Sequence, residues 1–226
     1  LASTKYELTL PSTGEKVEFR PFLVKEEKVL LTAQQAGTQL DQIRAIKEIV
    51  ESCTFGALKA DTLPFFDLEY VFLQLRAKSV GEKSKLMITC PDDRETKVEV
   101  EVDLTQVQCH RDMEHNEQIK LTDDIGMVLD YPKLEIMASN VEGAEQTFDV
   151  IKSCIKQIYD ADNVYDKNQM DDKELNEFIE SMSHEQFQQV QKFFATMPSV
   201  KHVLKVKNRN TGVESEVVLE GMASFF

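Results

Sequence analysis

The sequence predicts an α+β fold in which a helical body carries antiparallel β-hairpins near the N-terminus, in the middle and near the C-terminus. This prediction depends on hydrophobic spacing, because apolar residues recur at helical intervals in the long stretches and at every second position in the short ones. The 226 residues are 42% hydrophobic and 29% charged, which is ordinary for a folded protein and too apolar for a disordered one. The changes of spacing divide the chain into three segments that can pack as one compact unit: an N-terminal hairpin with helices (1–85), a β-rich middle (86–138), and C-terminal helices with a closing hairpin (139–226).

The N-terminal segment is predicted to form one hairpin followed by three helices. Residues 5–20 alternate apolar and polar side chains on both sides of the turn sequence PSTGE. A first helix is expected to begin near Glu26, because a helix amino end favours negative charge, and to stop at Gly37. Helical spacing predicts two more helices, one over 39–52 and one that follows Pro64.

The rest of the chain alternates between predicted strands and helices. From Gly81 onward the apolar residues lie at every second position, which predicts a hairpin around the turn sequence PDDRE. The remaining predicted elements are a polar, loop-rich stretch (103–118), short strands (119–121 and 134–137), a helix (142–159), an acidic linker, two capped helices that begin at Asp171 and Ser183, and a last hairpin (203–206 with 213–219).

The charge balance restricts the possible partners. Acidic side chains outnumber basic ones by 40 to 26, which gives a formal net charge of −14. Because such a surface repels phosphate backbones and anionic lipids, the sequence favours neither nucleic acid nor a membrane as a partner. No run approaches the ~18 apolar residues of a spanning helix, and LASTKYELTL contains no apolar signal core, so we expect the chain to stay where it is made. Four widely spaced cysteines without a C-x-x-C pair suit free thiols in a reducing cytoplasm.

The sequence contains no recognisable catalytic motif. G-x-S-x-G, G-x-x-x-x-G-K, H-E-x-x-H and G-x-G-x-x-G are all absent, so we expect no enzymatic activity, no cofactor and no metal. One alternative is a zinc site drawn from Cys90, Cys109, His110 and His115, because thiolate and imidazole suit that metal. These residues lack the paired short spacings of zinc sites, and ordinary thiols with surface histidines explain them equally well.

Three apolar stretches are candidates for contact with a partner. The first is the elbow FRPFLVKEEKVLLTA, where Pro21 ends a strand because it cannot donate to a ladder. The second is the third helix, whose apolar stripe is unusually wide, and the third is the terminal GMASFF. Burial in the core of the chain itself is the alternative for each stretch. The candidate residues are Phe22, Phe65, Phe66, Tyr70, Met222, Phe225 and Phe226.

Three longer motifs carry a resemblance to a known family: LPSTGEKVEFRPFLVKEEKVLL, LPFFDLEYVFLQLRAKSVGE and the closing LEGMASFF. Together they resemble the baseplate hub and hub-assembly proteins of T4-like contractile-tailed bacteriophages. The resemblance implies a late viral protein made in the bacterial cytoplasm, needed to build the hub and without catalytic residues. It also singles out a signature, namely Arg20, Pro21 and Phe22 in the elbow and Arg76 to Gly81 after the third helix.

The sequence and the resemblance together lead to one main hypothesis and two others. The main hypothesis is a non-enzymatic phage tail protein that binds hub or tape-measure subunits, as an assembly chaperone in the host cytoplasm or as a component of the virion baseplate. The second is a metal-dependent hydrolase of the phage tail that uses the 103–118 loop. The third is a host-regulating adaptor whose acidic surface mimics nucleic acid.

Overall fold

A computed structural model of the protein describes residues 3–137 and 143–225. The chain forms two compact units, one built from Leu1–His110 together with Pro198–Phe226 and the other from Arg111–Met197. Helices and antiparallel strands occur in both units, which confirms the predicted α+β class. The three segments 1–85, 86–138 and 139–226 describe the sequence pattern, and that division stays a prediction.

The helices begin and end largely where the sequence indicates. Gly37 ends the first helix in the left-handed conformation, with a φ of 70°. The side chains of Asp171 and Ser183 accept hydrogen bonds from the backbone N–H groups three residues later, at 2.8 and 3.2 Å, and so cap their helices. The described residues form the helices α1 (Val24–Ala36), α2 (Gln39–Cys53), α3 (Phe65–Val80), α4 (Leu134–Met137), α5 (Ala144–Cys154), α6 (Asp172–Glu180) and α7 (His184–Thr196).

The strands form hairpins and small antiparallel sheets. The strands of the described residues are β1 (Tyr6–Thr9), β2 (Lys16–Phe19), β3 (Lys83–Thr89), β4 (Lys97–Asp103), β5 (Gln108–His110), β6 (Gln118–Lys120), β7 (Gly126–Leu129), β8 (Ile155–Tyr159), β9 (Val164–Asp166), β10 (Ser199–Lys207) and β11 (Glu214–Glu220). In the first unit β1 pairs with β2, β3 pairs with β4, and β10 lies between β11 and β5. In the second unit the order is β6-β7-β8-β9.

Two elements predicted from the sequence are wrong. Residues 134–137 form a helix instead of a strand, since an apolar run this short does not distinguish the two. The helix predicted over 142–159 ends at Cys154, and residues 155–159 form β8; residue 142 lies outside the described residues. The spacing of the isoleucines in this stretch suits a helix, but pairing with β7 on one side and β9 on the other satisfies the backbone of β8 as a central strand.

The three hairpins of the first unit, β1–β2, β3–β4 and β10–β11, close with the same five-residue turn, at 10–14, 90–94 and 208–212. In each turn the N–H of the last residue donates to the carbonyl of the first residue, at 2.8, 2.9 and 2.8 Å respectively. The last residue also has a positive φ, which suits Gly14 and Gly212 but costs Arg94 about 1 kcal/mol or more. The glycines of PSTG and NRNTG therefore meet the same requirement, a positive φ at the last residue of the turn.

The tips of the second and third hairpins are joined by a polar network, which we call the tip clasp (Asp92, Asp93, Thr96, Asn208, Asn210 and Thr211). Asn208 is 1% exposed and lies at its centre. Its side-chain NH₂ donates to Asp92 at 3.1 Å and to Asp93 at 2.8 Å, while its carbonyl oxygen accepts the N–H groups of Asn210 and Thr211. The Asn208 amide thus uses both its donor and its acceptor capacity, as a buried amide must.

Each unit has its own apolar core. In the first unit α3 packs against the face of the hairpins that points inward, and the charged side chains of β3 and β4 lie on the opposite face. In the second unit α5, α6 and α7 cover the sheet that contains β7 and β8. The largest fully buried side chains are Phe19, Ile49, Leu68, Leu73, Leu75, Leu104 and Phe225 in the first unit, and Met127, Leu129, Leu134, Ile151 and Phe193 in the second.

Gly126 at the start of β7 permits a close approach between strands. A Cβ atom at this position would lie 2.1 Å from the hydroxyl of Tyr159 and 2.7 Å from the carbonyl oxygen of Ile119. We therefore expect Gly126→Ala to lower the free energy of unfolding by about 1–3 kcal/mol, measured by urea denaturation.

A double variant provides the control for this prediction. Tyr159→Ala removes the ring that a Cβ at position 126 would strike, so Gly126→Ala together with Tyr159→Ala should cost less than the sum of the two single changes. Additive costs would contradict the contact with the Tyr159 ring as the cause.

Candidate interaction groove

An apolar groove lies between α1, α2 and α3 of the first unit, beside the C-terminal turn, and has a volume of about 410 Å³. Its floor contains two buried alanines, Ala33 and Ala45, whose small side chains leave the space open. Its rim carries Gln34 and Gln42, and Arg76 is its charged lining residue among the described residues. Its apolar walls come from Phe22, Leu30, Ile46, Phe72, Val80 and Met222.

Three of the candidate residues from the sequence meet in this groove: Phe22 of the elbow, Met222 of the C-terminal turn, and Arg76. The sequence places Arg76 after the third helix, but α3 continues to Val80 and contains it. The three residues come from parts of the chain that are far apart in the sequence. The elbow and Arg76 therefore lie side by side at one groove, although their positions in the sequence do not indicate this.

The elbow is held by a buried ion pair. Arg20 and Glu26 are 7% and 3% exposed, and their side chains form two hydrogen bonds, at 2.9 and 3.2 Å. Arg20 also donates to the hydroxyl of Ser52 at 2.9 Å and to the carbonyl of Pro21 at 3.0 Å. These bonds tie the end of β2 to the start of α1 and to the end of α2, and so fix the direction in which the chain leaves the hairpin.

Glu26 is held in its charged form by this arrangement. Burial by itself would raise the pKa of Glu26, but hydrogen bonds from Arg20, the Leu23 N–H and Ser52, together with the charge of Arg20, lower it to about 2. Glu26 also accepts the Leu23 N–H at 2.7 Å and thereby satisfies a backbone donor at the start of α1. The carboxylate is thus both a helix cap and the partner of Arg20.

Phe22 is positioned from two sides. Its N–H donates to the hydroxyl of Ser79 at 2.7 Å, which connects the elbow to the last turn of α3. Its ring lies 6.0 Å from the ring of Phe72, at an angle of 43°. Phe22 is buried, whereas Leu23 beside it is 44% exposed, so of these two residues it is Phe22 that contributes to the core of the chain.

The other candidates on α3 lie away from the groove. Phe66 is buried, while Phe65 and Tyr70 are half-buried, and Tyr70 packs against the core of the first unit. Gly81 ends α3 with a φ of 132°, a conformation that favours glycine. These residues stay candidates for partner contact, although Phe66 is covered by the protein's own atoms.

The C-terminal turn folds back onto the first unit. Phe225 is 0% exposed and belongs to the core of that unit, and the N–H of Met222 donates to the carboxylate of Glu69 at 2.6 Å. The sequence leaves burial within the chain as an alternative to partner contact for this tail, and Phe225 is buried in this way. Met222 is half-buried and lines the groove, and Phe226 lies outside the described residues.

The electrostatics of the groove are those of a single cation in an apolar setting. Burial lowers the pKa of Arg76, but a guanidinium remains protonated throughout the range in which proteins are folded. The groove lining contains no carboxylate within the described residues, although the chain carries a net charge of −14. Such a groove, lined mainly by apolar side chains, is suited to binding apolar side chains.

The residues considered for a metal site do not form one. Within the described ranges, no three His, Cys, Asp or Glu side chains are close enough together to hold an ion. Cys90 is buried at the base of a hairpin turn, and Cys109 and His110 lie on β5. His115 belongs to the second unit, where its ring nitrogens lie 3.0 Å from the hydroxyls of Thr196 and Tyr131.

The free thiols are poor nucleophiles. Burial raises the pKa of Cys53 to about 11, of Cys109 to about 12 and of Cys154 to about 11. A thiol of this kind is protonated at neutral pH, and the thiolate is the reactive form.

Sequence reasoning missed the contacts that build the groove. Ser79 lies 57 residues after Phe22 in the sequence, and no local pattern indicates their hydrogen bond. The sequence gives only a weak indication of the contact between Arg20 and Glu26. Glu26 is the third residue of α1, and a glutamate at this position often caps the start of a helix. Leu30 and Ile46 belong to the apolar faces of their helices, but the sequence does not show which residues of those faces remain accessible at a groove.

The comparisons with known proteins confirm the resemblance as far as a T4-like phage baseplate protein and do not single out the hub. The family model described as "T4 bacteriophage base plate protein" matches residues 3–226. No curated protein and no solved structure matches the chain. Among the helices in the described ranges, none is both long and apolar enough to cross a membrane.

Proposed function

The chain belongs to the family of T4 bacteriophage base plate proteins, and we propose that it builds the baseplate hub, or forms part of it, by binding other tail subunits. The proposed partners are hub or tape-measure subunits. The work is done by non-covalent contact and involves no catalysed reaction, no cofactor, no nucleic acid and no membrane. The proposed place of action is the host cytoplasm during assembly and the baseplate of the finished particle.

One observation carries this proposal, the apolar groove between α1, α2 and α3. Large apolar side chains in its lining stay at least partly exposed, with Val80 on α3 65% exposed and Leu30 on α1 half-buried. Covering such surface is worth about 25 cal/mol for each Å² of apolar area. A contiguous apolar surface of this kind on a folded protein is typical of a site for another protein.

The alternative of a metal-dependent hydrolase has no comparable support. The proposed ligands Cys109 and His110 lie on β5, within the 103–118 stretch that the sequence predicts to be rich in loops. In the described part of the chain, this stretch brings no group of ligands together, and burial raises the pKa of Cys109. Host regulation through mimicry of nucleic acid has only the net charge in its favour.

Purification of the chain from infected cells tests the proposed function. We expect an affinity-tagged copy, recovered during tail assembly, to bring down hub or tape-measure subunits in stoichiometric amounts, identified by mass spectrometry. Recovery of the chain without any tail subunit would refute the proposal. Mass spectrometry of purified particles then separates the two versions, because a hub component is present in the particle and an assembly chaperone is absent.

A further inference from the structure

We propose that two copies of this chain bind edge to edge, with β3 of one copy pairing in parallel with β11 of the other. This inference goes beyond the proposed function, because it concerns contact between identical chains and does not involve the groove. It depends on the free edges of the two strands, on the order of their exposed side chains and on the incomplete cover of their inner faces.

Both strands have an edge without a partner strand. Among the described strands, β3 pairs only with β4, and β11 pairs only with β10. A strand at the edge of a sheet has backbone N–H and C=O groups that are directed outward and pair readily with a strand of another chain. β3 and β11 are each seven residues long, so a ladder between them can extend over the full length of both. Because every copy has both edges, copies can pair reciprocally or close into a ring.

The exposed side chains of β3 and β11 are complementary when the strands are aligned in parallel from their first residues. Opposite charges that face each other across two strands stabilise a sheet. Met87 and Val218 are 61% and 54% exposed, so contact between them removes apolar surface from water. The aligned pairs are Lys83 with Glu214, Lys85 with Glu216, Met87 with Val218, and Thr89 with Glu220.

The charges needed for this pairing are available at the surface. Lys83 and Lys85 lie 3.1 and 3.6 Å from carboxylates of β4, yet their side chains remain 64% and 68% exposed. Glu214 and Glu216 are exposed, and within the described residues neither of them forms an ion pair. A second copy therefore supplies each of these glutamates with a cation and places each lysine between two carboxylates.

The inner faces of the two strands match in the same alignment. Leu86 comes opposite Val217, and Ile88 comes opposite Leu219. Leu86, Ile88 and Val217 are only half-buried, although they pack against the core of the first unit. A neighbouring strand covers the apolar surface that these three side chains leave exposed, and this burial favours association.

The same side chains disfavour other arrangements. Two β11 strands aligned in parallel place each glutamate opposite its counterpart, and antiparallel alignment about Val217 places Glu214 opposite Glu220. Like charges in such positions destabilise a sheet. Antiparallel alignment of β3 with β11 over their full length keeps one pair of opposite charges, Lys83 with Glu220, where the parallel alignment has two. The charges therefore favour the parallel pairing of β3 with β11.

A charge exchange tests the pairing in the purified protein. Lys83→Glu with Lys85→Glu reverses the charges of β3, and Glu214→Lys with Glu216→Lys reverses those of β11. We expect the unaltered protein to self-associate in analytical ultracentrifugation, and each double variant to associate at least about tenfold more weakly. A mixture of the two double variants has opposite charges at both contacts again, so association should return.

Recovery in the mixture also shows that neither double variant has lost its fold, and thermal unfolding of each variant checks this independently. Three results would overturn the inference. They are an unaltered protein that sediments as a monomer, folded variants that associate as strongly as the unaltered protein, and a mixture of folded variants that stays dissociated.

Disulfide trapping tests which residues face each other, without changing any charge. The Met87→Cys protein is mixed with the Val218→Cys protein, so that a disulfide between the two positions joins two copies. Paired residues on adjacent strands lie about 5 Å apart, and residues one strand further lie about 10 Å apart. A disulfide needs Cα atoms within about 7 Å of each other.

The matched control is Val203→Cys, because Val203 is also 54% exposed and lies opposite Val218 on β10, one strand away from the edge. We expect a covalent dimer from Met87→Cys with Val218→Cys, and little from Met87→Cys with Val203→Cys. Each single variant alone reports pairing of β3 with β3 or of β11 with β11. Equal yields from all these samples would overturn the inference, as would the absence of any Met87–Val218 link.

The outcomes separate this inference from the proposed function. If the unaltered protein does not self-associate but still brings down tail subunits from infected cells, then the edge pairing fails and the proposed function stands. If copies associate as described but no tail subunit co-purifies, then the proposed function fails and the edge pairing stands. We expect the charge variants of β3 and β11 to lose self-association while they still bring down other tail subunits, because the groove is unaltered in both.

Discussion

Replacing Arg20 with leucine is expected to lower the free energy of unfolding by about 3–5 kcal/mol, because the buried Glu26 carboxylate loses the guanidinium that donates two hydrogen bonds to it and keeps only the exposed Lys25 ammonium, 3.6 Å away, as a nearby cation. Glu26 is 3% exposed and would keep only the Ser52 hydroxyl and the Leu23 N–H as close hydrogen-bond donors. Urea denaturation at neutral pH measures the effect. The loss should extend to the groove, because Arg20 fixes the elbow that carries Phe22.

Two controls show whether the burial of this pair is the cause. Arg20→Leu combined with Glu26→Leu should recover part of the lost stability, because no unpaired charge remains. Removing the exposed pair Lys85 and Glu99, whose charged atoms lie 3.6 Å apart, should cost less than about 1 kcal/mol. Equal costs for the buried and the exposed pair would contradict the explanation.

The same pair has a defined dependence on pH. The pKa of Glu26 is about 2 in the folded protein, below its ordinary value of 4.5, so its contribution to stability is complete above pH 4.5 and is lost as the pH falls from 4.5 toward 2. The difference between the unaltered protein and Arg20→Leu should therefore shrink over this interval. A difference that stays constant down to pH 2 would contradict the assignment.

The second large effect is expected at the tip clasp. Asn208→Asp keeps the shape of the side chain but replaces the NH₂ that donates to Asp92 and Asp93 with a carboxylate oxygen. Because Asn208 is 1% exposed, the new charge is buried next to two others, and we expect a loss of about 3 kcal/mol or more in the free energy of unfolding.

The matched control for Asn208 lies in the same turn. Asn210 is exposed, so Asn210→Asp should have a much smaller effect, although it too loses a hydrogen bond, from its NH₂ to the Thr96 hydroxyl at 3.0 Å. The Asn208→Asp variant should also regain stability as the pH is lowered and the new carboxyl group is protonated. Similar losses for the two variants would show that burial and charge at position 208 do not matter.

Local structure was predictable from the sequence where the signal is local. The caps at Asp171 and Ser183 involve residues three positions apart, and the first and third hairpin turns contain a glycine, Gly14 and Gly212, where the backbone has a positive φ. The alternating apolar residues of β3, β4 and β10 are also a local pattern, and each of these strands forms. In these places the intrinsic preferences of the residues, their hydrophobic pattern and the residues of the turns all favour the same structure.

The long-range contacts were not predictable from one sequence. Asn208 bonds to Asp92 across 116 residues, and nothing near either residue indicates the pairing. The same limit explains the error at 155–159, since the spacing of Ile151, Ile155 and Ile158 suits a helix and only the neighbouring strands decide against it. It also explains why the elbow and Arg76 could be singled out separately but not placed in one groove.

The claim that this base plate protein works by binding through its groove is tested most directly by purification of matched variants from infected cells. Ile46→Glu with Val80→Glu places two charges in the groove, and Val203→Glu with Val218→Glu places two charges on the exposed valine pair of the sheet. We predict that the groove variant folds but no longer brings down hub or tape-measure subunits, while the sheet variant brings down as much as the unaltered chain. Full recovery of tail subunits with the folded groove variant would contradict the claim.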